Sequence, residues 1–120
     1  MNLKIKGVVE KSINILKKQY SQQQLTNIKM QLFSIYQGEF NVSESMLKMK
    51  ALQIDLSNNR ETQDAYYTLG SLISMPPRGP IKVLREAFDE GNTSVSKEFL
   101  EYQTEVIGYV YTQVQDIDKV

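Results

Sequence analysis

Apolar positions along this chain recur every three or four residues, the spacing that gathers side chains onto one face of an α-helix. From Leu3 to Tyr20, the residues Ile5, Val8, Val9, Ile13, Ile15, Leu16 and Tyr20 share an arc of about 160°, and Lys4, Lys6, Lys11, Lys17 and Lys18 lie opposite. Ser21 with Gln24 has the spacing of a capping box and predicts a second helix, with Leu25, Ile28, Leu32, Phe33, Ile35 and Tyr36 on one face and Gly38 as its left-handed terminator. Asn41 with Glu44 predicts a third helix, through about Leu56. Over residues 50–56 the pattern weakens, because Leu52, Ile54 and Leu56 alternate with Gln53 and Asp55 as a half-buried strand would. Helix is preferred there, since no second strand-like run is present to satisfy a lone strand's backbone groups.

Asn58 with Glu61 predicts a fourth helix running to Met75, with Ala65, Tyr66, Leu69, Leu72 and Ile73 inward. Tyr67 points almost directly away from that face and is either ordinary surface or a contact residue. The run Met75-Pro76-Pro77-Arg78-Gly79-Pro80 must stop the helix and reads as a hinge; the PxxP spacing of Pro77 and Pro80 offers a polyproline ligand as the alternative. A short helix is predicted from Ile81 to Glu90, closed by Gly91, with Asn92, Thr93, Ser94 and Ser96 all competent to cap the next.

The last periodic stretch, Val95 to Ile117, is the longest. Its apolar residues spread across about 200° of the helical wheel, twice what a surface helix needs, so it is expected to sit at the centre of the bundle against the first and second helices. Gln103 and Gln113 fall inside that arc and must find partners in the core, lie at its edge, or face a groove that something else fills. The pattern as a whole predicts an all-α, single-domain bundle of five or six helices spanning residues 1–120, with a core that includes Ile5, Val9, Leu16, Leu32, Leu69, Leu84, Phe88, Phe99, Val106 and Val110.

Composition narrows the chemistry. The 120 residues contain no Cys, His or Trp, which removes disulfides, thiol nucleophiles and the commonest general base near neutral pH. No apolar run approaches the roughly 18 residues of a membrane span, and the lysine-bearing start lacks a signal-peptide core, so a cytoplasmic location is expected. The net charge of zero conceals a split: residues 1–60 carry nine Lys and Arg against four Asp and Glu, and residues 61–120 carry five against ten. A dipolar surface of this kind either stays solvated or steers a charged partner.

No Gly-rich phosphate loop, nucleophile elbow or calcium loop is present. The acids Glu86, Asp89, Glu90, Glu98, Glu101 and Glu105 could meet on facing helices, but dinuclear bundle sites use Glu-x-x-His pairs and all six fall on solvent faces. Glu86 and Glu90 would be the only acid–base pair of an enzyme, the third-ranked reading. No catalytic, cofactor or metal site is therefore expected. The first-ranked reading is a non-enzymatic protein-interaction module, a small inhibitor, adaptor or assembly factor of the phage or bacterial accessory type. It would bind another protein or a second copy of itself through Tyr102, Tyr109 and Gln113, at the edge of the last helix's apolar arc. The alternative is a nucleic-acid-binding regulator using Lys4, Lys11 and Lys18 on the first helix.

Overall fold

Four of the helices open on a side-chain cap, and these caps fix where the chain turns. In the computed structural model, which describes residues 2–74 and 97–119 apart from the side chains of Lys97 and Phe99, Asn2 caps α1 (Leu3–Gln19) and Ser21 caps α2 (Gln22–Tyr36). Asn41 caps α3 (Val42–Ala51), and Asn59 caps α4 (Arg60–Ile73). The last helix, α5, covers Lys97–Gln115. Both predicted capping boxes of α2 and α3 form, with Ser21 and Gln24, and Asn41 and Glu44, exchanging side-chain and backbone hydrogen bonds.

The described residues form an all-α globule of five helices around one core. Val9, Leu16, Leu32, Leu69, Val106 and Val110 are buried as the periodicity predicts, and Ile5 is half-buried against them. Leu84, Phe88, the Phe99 side chain, the predicted hinge at 75–80 and the helix expected over 81–90 lie outside the described residues. Helix α5 packs on α1, α2 and α4, whereas α4 touches every other described helix and lies most extensively along α1. The fully buried arc of α5 runs from Val106 through Val110 and Val114 to Leu100, by helical geometry about 120° wide, and the half-buried Tyr109 and Tyr111 pack against the core at its two sides, so the engaged arc is about 200°, as predicted. Gln103 is within it, only 7% exposed.

Two local expectations need correction. The fourth helix is capped by Asn59, not Asn58, which instead ends a short 3-10 turn at Leu56–Asn58; Asn59 Oδ1 accepts from the amides of Glu61 and Thr62. Of residues 50–56, Lys50 and Ala51 complete α3, and the rest form neither a continued α-helix nor a strand. Helix α3 stops at Ala51, Gln53 takes the left-handed conformation with φ 67°, and Ile54 N–H and Gln53 N–H return to the carbonyls of Met49 and Lys50 at 3.0 and 3.1 Å. This is the Schellman terminator, and Met49 and Ile54, the residues whose apolar contact usually accompanies it, are both buried in the core. The same pair of bonds closes α2 at Gly38, where φ is 82°. A glutamine in the left-handed position gives no sequence signal, so the alternation that follows it resembles a strand.

Helix α3 is fastened to α4 at close range. A Cβ on Gly70 would lie 2.7 Å from Val42 Cγ2, so glycine permits the approach. Within α4 the adjacent Tyr66 and Tyr67 both reach α3, Tyr66 to Ser45 and Tyr67 to Ser43, each at 2.7 Å. Ser45 donates its one proton to the Val42 carbonyl 2.7 Å away, so Tyr66 is the donor of the buried pair. Burial pushes the Tyr66 hydroxyl well above its ordinary value, which keeps it a donor. At the other end of the bundle Asp118 ties the turn after α5 to α2. Its carboxylate accepts from Lys29 Nζ and Thr26 Oγ1 at 3.0 and 2.8 Å, and its carbonyl accepts from Gln22. Lys29, and then Thr26, hold the Asp118 carboxyl below the usual carboxylate range.

Candidate interaction surface

The apolar face of α1 is wider than the core it meets. Val9, Ser12, Ile13 and Leu16 are buried, but Val8, predicted to face inward, is 41% exposed, and Ile5 and Ile15 are half-buried. The uncovered edge turns toward α4. There, Ile5, Val8 and Lys4 share a groove of about 590 Å³ with Asp64, Tyr67 and Leu72 of α4. Lys18 and Gln19 near the end of α1 share another concavity with Glu61 near the start of α4, so the two helices run in opposite directions.

Tyr67 stands on the ridge of α4 and serves two depressions. On its α1 side is the groove; on its α3 side is a smaller one of about 360 Å³, in which Met46, Leu47 and Leu56 supply apolar wall and Lys50, Asp55 and Gln63 supply polar rim. Tyr67 is 41% exposed and Leu47 71%. The hydrogen bond to Ser43 holds the phenol in place while the ring stays accessible. Exposed aliphatic and tyrosine side chains thus border the concavity, with single charges at the rim. The titratable side chains that line this groove are Lys4, Asp64 and the Tyr67 phenol.

Of the residues singled out from the sequence, Tyr102, Tyr109 and Gln113 do share one strip of α5, at the rim of its buried arc. Tyr102 is 37% exposed, while Tyr109 and Gln113 are half-buried. Tyr109 is already engaged within the chain: its hydroxyl donates to Glu10 at 3.0 Å, and Lys6 Nζ lies 5.7 Å from its ring centroid. Burial, and then the Glu10 carboxylate, push the Tyr109 hydroxyl above its ordinary value. Lys4, Lys11 and Lys18 are all exposed along one side of α1, but Glu10 and Glu61 line the same concavity as Lys11 and Lys18. Glu98, Glu101 and Glu105 are exposed, Glu86, Asp89 and Glu90 fall outside the described residues, and among those described no three ligating side chains converge. No described helix is long and apolar enough to cross a membrane.

The sequence pattern does not locate the groove, although its signal is present in the surplus width of the α1 arc. Comparison with protein-family models finds no match to the chain, and comparisons with curated proteins and with solved structures find none either.

Proposed function

We propose that this protein is a non-enzymatic interaction module, a small inhibitor, adaptor or assembly factor that works in the cytoplasm by occupying a surface. The observation that carries this reading is the groove between α1 and α4, with Val8 and Tyr67 exposed along it and a second depression on the far side of Tyr67. A single exposed apolar side chain is ordinary on a protein surface, but here two of them border one concavity. Each leaves a substantial part of its surface in water, which contact with a partner would remove. The α5 strip of Tyr102, Tyr109 and Gln113 is a second edge on the other flank of α1, with Tyr102 as its accessible member. Helix α5 carries the second edge and contacts α1, α2 and α4.

The test is a photoreactive phenylalanine analogue placed at position 67, at position 102, and at exposed Gln23 as control, in cells that produce the protein. Position 67 should give a discrete protein adduct on irradiation and Gln23 none. An absence of adducts at both 67 and 102 would sink the reading.

Nucleic acid is the second reading, supported by the exposed row of Lys4, Lys11 and Lys18. It requires retention of DNA or RNA that weakens steeply with salt. No retention at low ionic strength eliminates it.

A further inference from the structure

We draw no further inference here: the strongest candidate, the apolar groove between α1 and α4 bordered by Ile5, Val8, Tyr67 and Leu72, carries nothing because nothing in the structure shows what covers it.

Discussion

Tyr67 and Tyr109 are each a tyrosine on an amphipathic helix, and in the structure each hydroxyl bonds to a neighbouring helix, Tyr67 to Ser43 and Tyr109 to Glu10. Their surroundings separate them. Around Tyr109 the chain closes, with Lys6 over the ring and the residue half-buried. Around Tyr67 it opens, with a concavity on each flank. A hydrogen bond to a neighbour therefore does not distinguish an internal fastener from a contact residue. What distinguishes them is whether the ring face is covered by the chain itself.

The comparison can be tested by loosening what supports each edge, beginning with the largest effect. Leu69 is fully buried on α4, two residues beyond Tyr67, and Leu69→Ala should cost about 2–5 kcal/mol by chemical denaturation. Such a loss would remove both edges together. A cost under about 1 kcal/mol would mean that α4 does not anchor the bundle.

Asp118 supports the α5 side alone. Asp118→Ala removes the acceptor of Lys29 and Thr26 and should cost roughly 1–3 kcal/mol. Because the folded carboxyl titrates below its unfolded value near 3.8, its contribution is complete above that value and is lost as pH falls through the lowered folded value. Wild type should therefore lose stability more steeply than Asp118→Asn below about pH 4. Parallel acid melting curves would contradict the assignment.

The smallest effect belongs to the α3 terminator beside the Tyr67 face. Gln53 occupies a conformation in which a side chain is disfavoured, so Gln53→Gly should stabilise by about 0.5–1 kcal/mol. A loss of stability would indicate that the glutamine side chain contributes more than its backbone costs.

The fold is largely legible in the sequence because caps and periodicities agree. Ser21, Asn41 and Gly38 each act as their chemistry predicts. The stretch from Leu52 to Leu56 is illegible for a physical reason: a Schellman turn works with any residue that tolerates the left-handed region, and only glycine or asparagine advertises it. The candidate site is legible only in part. Tyr67 stands out from the helical wheel alone, but Val8 shares a wheel with true core residues, and no wheel says where the neighbouring helix ends. Tyr102 and Tyr109 illustrate the converse, since both fall at one edge of the apolar arc of their helix and yet only one of the two is engaged by α1.

The direct measurement is a paired substitution, Tyr67→Ala and Tyr109→Ala, each followed by thermal melting and by the yield of protein adducts, the readout of association, from a photoreactive phenylalanine analogue at the exposed Leu47 beside Tyr67. Tyr109→Ala should lower stability by about 1–2 kcal/mol and leave association intact, since its ring and hydroxyl act within the chain. Tyr67→Ala should change stability by under about 1 kcal/mol and weaken association. The opposite pattern, with Tyr67 needed for stability and Tyr109 for association, would contradict the placement of the interaction surface on the α1–α4 face.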